Sequence, residues 1–244
     1  MKKIEIDLHC HSVASTHAYS TVKELAEGAR DFGLKGFALT DHAPNMPDSP
    51  HIWHFHNLRC LPDEIAGVRV LKGVEANIID TDGYLDMSAG DLEPLEWVLA
   101  SFHMPVIRGF TPDEYTNAYI KLAENPWVDS IGHCTTSGFL FDYERVLKIW
   151  KEREIFPEIN ESSLNNRAGA LKNTAELLKL CKKYEVPVVV NSDAHYCGII
   201  GVVTEAEKML DELAFPEELI FNADFDRVMA FIGKKRSVTK FELY

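Results

Sequence analysis

The sequence lacks the features that mark membrane proteins and disulfide-stabilised secreted domains. No window of its 244 residues approaches the run of about 18 apolar residues that a membrane-spanning helix needs. The five cysteines are odd in number, irregularly spaced and without a CxxC pair, which disfavours a disulfide framework and a thiolate zinc cage. The N-terminus passes from two lysines straight into a strand-like run, without the apolar stretch of a signal peptide. We therefore expect a cytoplasmic protein with reduced thiols and no membrane partner.

Positive charge is also scarce. The sequence has 25 Lys and Arg against 38 Asp and Glu, which gives a formal net charge of −13. An acidic surface repels a phosphate backbone, so we expect no binding to extended nucleic acid. A small phosphorylated substrate stays compatible with this charge, because bound cations can reverse the sign of the field inside a cleft.

Short apolar runs alternate with helical patterns along the chain, without an obvious linker, repeat or low-complexity segment. Strands are predicted at 4–8, 36–40, 68–76, 97–101, 130–132, 155–159 and 187–190. Helices are predicted at 21–32, 111–124, 142–153, 174–184, 204–213 and 224–232. Alternation of this kind is typical of βα units around a parallel sheet. We predict one α/β domain over residues 1–244, folded as a distorted (β/α)7 TIM-like barrel.

Histidine has the most informative distribution of any residue type. His9 and His11 alternate on the first predicted strand, so their side chains point the same way while Cys10 points oppositely. With later histidines and two carboxylates they form a set of nine candidate metal ligands: His9, His11, His17, His42, Glu75, His103, His133, Asp193 and His195. Most of these lie at or just past the end of a predicted strand. Because strand ends of a βα barrel meet on one face, we expect these side chains to share one pocket.

A single histidine after a strand is more often an ordinary surface or core residue than a ligand, but this set takes seven of the ten histidines. Imidazole and carboxylate without thiolate suit zinc, manganese or iron. Nine ligands exceed the needs of one tetrahedral ion and fit two or three ions, with Glu75 as a natural bridge. Water shared by such ions is acidified and becomes a nucleophile, and the ions neutralise phosphate oxygens. Hydrolysis of a phosphate ester is therefore the predicted chemistry.

These motifs resemble the PHP (polymerase and histidinol phosphatase) family. The resemblance rests on Asp7-Leu8-His9-Cys10-His11, Leu39-Thr40-Asp41-His42, Gly73-Val74-Glu75, Gly132-His133 and Ser192-Asp193-Ala194-His195, together with His17 and His103. The stretches 15–21, 53–55 and 158–163 are similar to the YcdX-type phosphatases within the family. The resemblance covers essentially the whole chain and implies a barrel that holds three metal ions, usually zinc. It also implies a grouping into His9, His11, Glu75 and Asp193 for the first ion, Glu75, His103 and His133 for the second, and His17, His42 and His195 for the third.

Further residues are predicted to act on the substrate. We assign catalytic roles to His42, Asp193 and Arg59, and substrate contacts to His54, Arg59, Asn160 and Arg167. Arg59 is favoured because a guanidinium matches phosphate geometry, although its histidine-rich connection could equally be a packed loop. Asn160 and Arg167 follow a strand, so they either line the pocket or serve as turn residues. Asp7 either orients a ligand's second nitrogen or acts as an ion-pair partner or a strand-end cap.

Four functions compete on the sequence alone, and a metal-dependent phosphatase leads. A metal-dependent amidohydrolase or deaminase also begins a barrel with His-x-His, but it leaves His17, His42 and His195 surplus. Metal storage or sensing is disfavoured by an inward-facing site, and a proofreading exonuclease is disfavoured by the net charge. The natural substrate, the native metal and the question of a homo-oligomer stay open.

Overall fold

A computed structural model describes the backbone of residues 3–242 and the side chains of residues 3–236. Its strands are β1 (Ile6–Cys10), β2 (Gly36–Leu39), β3 (Glu64–Ile65), β4 (Val68–Asn77), β5 (Trp97–Ser101), β6 (Ser130–Ile131), β7 (Phe156–Asn160) and β8 (Val189–Asn191). Seven of them lie in parallel in the order β1-β2-β4-β5-β6-β7-β8, and β3 pairs antiparallel with β4. A parallel bridge between Cys10 and Ala194 joins the end of the sheet to its beginning. The predicted α/β barrel is therefore confirmed, with seven parallel strands and nearly complete closure.

The helices are α1 (Val22–Phe32), α2 (Trp53–Asn57), α3 (Ala89–Leu92), α4 (Pro112–Leu122), α5 (Tyr143–Glu152), α6 (Glu161–Asn166), α7 (Ala170–Tyr184), α8 (Thr204–Glu212) and α9 (Phe225–Glu242). All six predicted helices are present, with shifted ends, whereas the short α2, α3 and α6 were not predicted. Among residues 3–242, no helix combines the length and the apolar character that crossing a membrane requires.

Two helices begin where local sequence signals predict. Thr21 caps α1 and Thr111 caps α4, and each hydroxyl accepts a hydrogen bond from a backbone N–H three residues on. Glu24 and Glu114 complete the two capping boxes. Gly33 ends α1 in the left-handed conformation, with φ of 93°, which a side chain would disfavour. These signals fix where the loops after β1 and β5 must end.

Apolar side chains fill both sides of the sheet. A large cluster that includes Val74 and Val98 lies between the strands and the helices. A smaller cluster joins Trp97 and Phe156, the first residues of β5 and β7, to Phe231 of α9. Because this packing occupies the amino ends of the strands, the carboxyl ends are left for polar side chains, as is usual in βα barrels.

Candidate metal centre

The predicted ligands meet beyond the carboxyl ends of the strands. Nitrogen and oxygen atoms of eight of the nine, together with Asp48, form four groups, within each of which all ligand atoms lie within 4.8 Å of one another. The ninth, His133, joins them through Glu75, with Nε2 2.9 Å from Oε1. The groups are His9 with His11 and Asp193, His11 with His42 and His195, His42 with Glu75 and His103, and His17 with His42 and Asp48. Because the groups share members, they form one continuous cluster, which we call the histidine cluster.

Glu75 of β4 lies inside the histidine cluster and is 1% exposed. Its Oε1 lies 2.9 Å from Nε2 of His133 and 3.2 Å from Nε2 of His103. Its Oε2 lies 3.1 Å from Nε2 of His42 and 3.3 Å from Nε2 of His9. The two oxygens therefore face different imidazoles, which is the arrangement that a carboxylate needs in order to bridge two cations.

Asp193, just past β8, is the second carboxylate of the cluster. Its Oδ1 lies 3.2 Å from Nε2 of His11 and 3.5 Å from Nε2 of His9. The backbone of Asp193 has a φ of 57°, and that of His133 has a φ of 30°. Positive φ is uncommon for residues other than glycine and costs conformational energy. These two predicted ligands thus share a backbone conformation that is uncommon for their residue types, as do Ala66, Glu154, Glu185 and Ala214 outside the cluster.

Five imidazoles are held through Nδ1 by an oxygen atom. Nδ1 of His9 donates to Oε1 of Glu158 at 2.7 Å, and Nδ1 of His103 donates to Oδ1 of Asn77 at 2.8 Å. The same contact occurs in three further pairs: His17 with Asp48, His42 with Asp48, and His195 with the carbonyl oxygen of Asp193. When the proton lies on Nδ1, the other nitrogen of a neutral ring carries a free lone pair. Such partners are typical of histidines that bind metal ions.

Several buried atoms of the cluster have no hydrogen-bond partner. They are Nε2 of His9, both ring nitrogens of His11, Oε1 of Glu75, Nδ1 of His133 and Nε2 of His195. An unpaired buried polar group costs about 1–3 kcal/mol, so a set of them in one place requires an explanation. Cations bound within the cluster would satisfy the three of these atoms that lie where imidazoles and carboxylates face each other, which are Nε2 of His9, Nε2 of His11 and Oε1 of Glu75. The donor set, imidazole and carboxylate without thiolate, fits zinc, manganese or iron.

The charges in the cluster favour ionised carboxylates. Burial raises the pKa of Glu75, but nearby imidazoles, first among them that of His103, outweigh it and leave the pKa well below its ordinary value. Burial lowers the pKa of His9, but carboxylates led by Glu158 outweigh it and leave the pKa well above its ordinary value. Burial lowers the pKa of His11 to about 3, so this ring is neutral at pH 7. Protons and metal ions therefore compete for the same nitrogen atoms.

Arg167, a predicted substrate residue, borders the cluster. Its guanidinium donates to Oγ1 of Thr136 at 2.8 Å, and that hydroxyl donates to the carbonyl oxygen of His133 at 2.9 Å. Burial, together with the positive charge of Arg167, lowers the pKa of His133 to about 4. Arg167 also lines a cavity that contains His103. A guanidinium in this position can bind the oxygens of a phosphate.

Two other predicted substrate residues, Asn160 and His54, contact predicted metal ligands or residues next to them. Asn160 is 3% exposed, and its Nδ2 lies 3.2 Å from Oδ2 of Asp193 and donates to Oε2 of Glu158 at 3.0 Å. His54 of α2 lies with Nε2 3.1 Å from Oδ2 of the buried Asp41, which precedes His42. The structure thus brings both residues to the edge of the cluster, and their contact with a substrate stays a prediction.

The structure does not bring Arg59 to the histidine cluster. Arg59 is exposed in the turn Leu58–Cys60 after α2, where it lines a surface cavity with Lys72 and Glu96. Within the side chains of residues 3–236, Arg59 makes no hydrogen bond or ion pair with a predicted ligand. The position of Arg59 therefore does not support its predicted catalytic role, whereas Arg167 lies next to the cluster.

The side chain of Asp7 contacts the segment after β8 rather than an imidazole ring. The register against β2 shifts between Asp7 and Cys10, which interrupts the simple alternation expected from the sequence. The carboxylate of Asp7 accepts hydrogen bonds from the hydroxyl of Ser192 and, at 2.9 Å, from the N–H of Gly201. Of the expected roles, the structure favours a cap that anchors the chain beside β8.

Three residues of the site were missed from the sequence: Glu158, Asp48 and Asn77. Each accepts a hydrogen bond from Nδ1 of a predicted ligand. Glu158 gave one usable signal, since a charged residue in the middle of a buried strand needs a partner. Asp48 lies in a connection with three prolines, where aspartate is an ordinary turn residue.

Comparison with known proteins places these observations in a family context. A family model described as the PHP domain matches residues 7–227. Over 234 residues the chain is 40% identical to a probable phosphatase of Clostridium novyi (strain NT), covering 96% of each protein. It is 42% identical, also over 234 residues, to a probable phosphatase of Acetivibrio thermocellus, covering 96% of this chain and 97% of the relative.

Among solved structures, a similar fold occurs in a histidinol phosphate phosphatase from Lactococcus lactis, complexed with zinc, L-histidinol and phosphate. The two structures share a TM-score of 0.65 at 18% sequence identity, over 87% of this chain and 94% of the other. At this level of sequence identity, the similarity shows that the two proteins share a fold.

Proposed function

This chain belongs to the PHP family, and we propose that it is a phosphatase that hydrolyses a small phosphomonoester with the help of three metal ions. Its close relatives are named as probable phosphatases, which supports hydrolase chemistry. The observation that carries the proposal is the position of Glu75, whose two oxygens face separate pairs of imidazoles at 2.9–3.3 Å. A carboxylate in this position is suited to bridge cations at a multinuclear site.

We assign the ligands to three ions. The first would be held by His9, His11, Glu75 and Asp193, the second by Glu75, His103 and His133, and the third by His17, His42 and His195. The compact groups of ligand atoms support this partition in part, and they add Asp48 to the neighbourhood of the third ion. We propose zinc, with manganese or iron as alternatives, since the Lactococcus lactis relative binds zinc.

When bound, such ions would lower the pKa of water so that hydroxide forms near neutral pH, and they would offset the charge of the phosphate. In the reaction, water adds to phosphorus, the bond from phosphorus to the ester oxygen breaks, and inorganic phosphate and an alcohol are released. Glu158 and Asn77 fix the rings of His9 and His103. We retain direct roles in the reaction for His42 and Asp193.

We propose that Arg167, rather than Arg59, binds the phosphate. Its guanidinium is half-buried, lies next to the His133 end of the cluster, and keeps only one recorded hydrogen bond, to Thr136. Its remaining N–H groups can therefore reach phosphate oxygens in a bidentate contact. L-histidinol and phosphate in the Lactococcus lactis relative support a phosphorylated small molecule as the substrate class.

The test is metal analysis of protein purified without chelator, followed by phosphate release from p-nitrophenyl phosphate before and after chelation. We expect close to three ions per chain, turnover by the untreated protein, and loss of turnover after chelation and in His9→Ala. His56→Ala is the matched control, because this exposed histidine contacts Asp91 outside the cluster. Turnover that survives both chelation and His9→Ala would contradict the proposal. Ammonia release from nucleobases without phosphatase activity would instead indicate a deaminase.

A further inference from the structure

A cavity of about 510 Å³ opens beside the histidine cluster. Its apolar walls come from Phe102, Met104, Pro105 and Phe139, and its polar border is formed by His103 and Arg167. Phe102 and Phe139 are buried and pack on each other with ring centroids 5.6 Å apart, so they form a continuous apolar wall. Met104 is 50% exposed and stands at the opening.

The cavity shares a border with the site of the proposed reaction. His103 lies both in its lining and 3.2 Å from Glu75. Thr136, also in the lining, links the guanidinium of Arg167 to the backbone of His133. A phosphate held by Arg167 and the cluster would therefore place its ester oxygen, and the group attached to it, at the entrance of this cavity.

The two hydroxyl groups of the lining already have hydrogen-bond partners. The hydroxyl of Thr136 donates to His133 and accepts from Arg167. The hydroxyl of Ser137 donates to the carbonyl oxygen of Ala168 at 2.7 Å and accepts from Asn173. Among the residues that line this cavity, all of them within the described part of the chain, there is no carboxylate. A cationic or hydroxyl-rich group would lose its water here without gaining equivalent partners.

We propose that this cavity binds the organic part of the substrate, and that this part is neutral and apolar, as in an aryl or aralkyl phosphate. The proposal rests on the proposed phosphatase function and narrows its substrate class. The positive charge of Arg167 opposes an ammonium group, so amino alcohol phosphates are poor substrates. The apolar walls give sugar hydroxyls little to bind, so sugar phosphates are poor substrates as well.

The test compares three esters of primary alcohols: 2-phenylethyl phosphate, ethyl phosphate and 2-aminoethyl phosphate. The leaving groups of the first two differ little in intrinsic reactivity. We expect kcat/KM of the zinc-loaded full-length protein to be at least about tenfold higher for the phenyl compound than for ethyl phosphate, the range that apolar pockets provide. We expect 2-aminoethyl phosphate to be the poorest of the three. Equal values, or a preference for the amine, would overturn the proposal.

A charge placed at the opening should change this preference. In Met104→Glu we expect the ratio of kcat/KM for 2-aminoethyl over 2-phenylethyl phosphate to rise about tenfold, because the carboxylate attracts the ammonium and loses hydration beside the apolar ring. Leu171→Glu is the matched control, since Leu171 is 52% exposed and lies outside the lining. An equal change in both variants would show an effect of surface charge alone and would overturn the proposal.

Binding of non-hydrolysable phosphonates separates this proposal from the proposed function. Calorimetry on the zinc-loaded protein should show tighter binding of 2-phenylethylphosphonate than of ethylphosphonate, by about tenfold. Absence of turnover on all three esters would reject the phosphatase function. Equal affinities for the two phosphonates would reject the apolar cavity even if the phosphatase function holds.

Discussion

The basicity of each predicted ligand imidazole depends on the atom that its Nδ1 contacts. His9 and His42 donate to carboxylates, whereas His103 donates to the amide oxygen of Asn77. A carboxylate makes an imidazole more basic than a neutral oxygen does, and therefore a stronger donor to a cation. Residues outside the predicted ligand set therefore give the imidazoles of one cluster different basicities.

Replacement of Glu158 by glutamine tests this tuning. We expect Glu158→Gln to keep the fold and to weaken metal affinity about 10–100-fold, because His9 loses its charged partner. The measurement is a competition titration of the metal against a chromophoric chelator. Glu152→Gln, an exposed substitution at the end of α5, is the control and should leave the affinity unchanged. Equal affinities of Glu158→Gln and the unaltered protein would refute the orienting role.

Asp48 gives a second test, because it contacts both His17 and His42. We expect Asp48→Asn to weaken one ion selectively, about 10–100-fold, so that metal content after dialysis against a metal buffer falls from close to three ions towards two. Elemental analysis provides the readout, with the exposed Asp113→Asn as the control. A loss of all ions together, or of none, would contradict a local role.

At the level of helices and strands, the sequence predicted the regular elements better than their irregularities. The seven parallel strands were predicted because each contains a short run rich in apolar residues, whereas the two-residue β3 was not predicted. The helices α1 and α4 were predicted because start signals precede them at Thr21 and Thr111. The shift in β1 and the short α6 were missed, since neither has a pattern that extends over enough residues. Asn160 was expected to be either a pocket or a turn residue. Its Oδ1 caps α6, which agrees with the second alternative, and its contact with a substrate stays a prediction.

The cap of α4 is open to a direct stability test. Thr111→Ala removes the hydroxyl that accepts from the N–H of Glu114, so we expect a loss of about 1 kcal/mol in the free energy of unfolding. Urea denaturation measures the change, and Thr111→Ser should restore most of it. Phosphatase activity of the folded variant should be unaltered, and a fall in activity without a fall in stability would contradict a purely structural cap.

For the molecule as a whole, the barrel explains why so much of the site could be predicted. Residues as distant in sequence as His9 and Asp193 meet because parallel strands end on one face, so ligand types at strand ends were sufficient to predict their convergence. The positions of loop residues could not be predicted in the same way, because the composition of a loop does not indicate the direction in which its side chains point. Arg59 and Arg167 carry the same guanidinium group, so their chemistry alone could not distinguish them. The folded chain places Arg167 beside the predicted ligand His133 and places Arg59 elsewhere.

Metal removal should therefore destabilise the entire barrel rather than one loop. If the ions bind only the folded state, a free metal concentration of 100 times Kd contributes about 2.7 kcal/mol to the free energy of unfolding. We expect Tm to rise with added zinc and to fall with chelator, measured by circular dichroism. The Tm of His9→Ala should respond less, and a Tm independent of zinc in the unaltered protein would argue against binding within the fold.

The bridge between Cys10 and Ala194 also has a consequence for biosynthesis. His9 and Asp193 belong to one group of close ligand atoms, yet Asp193 is translated 184 residues after His9. A nascent chain therefore cannot complete that group until both residues have left the ribosome. Any ion that binds there must be acquired after that point.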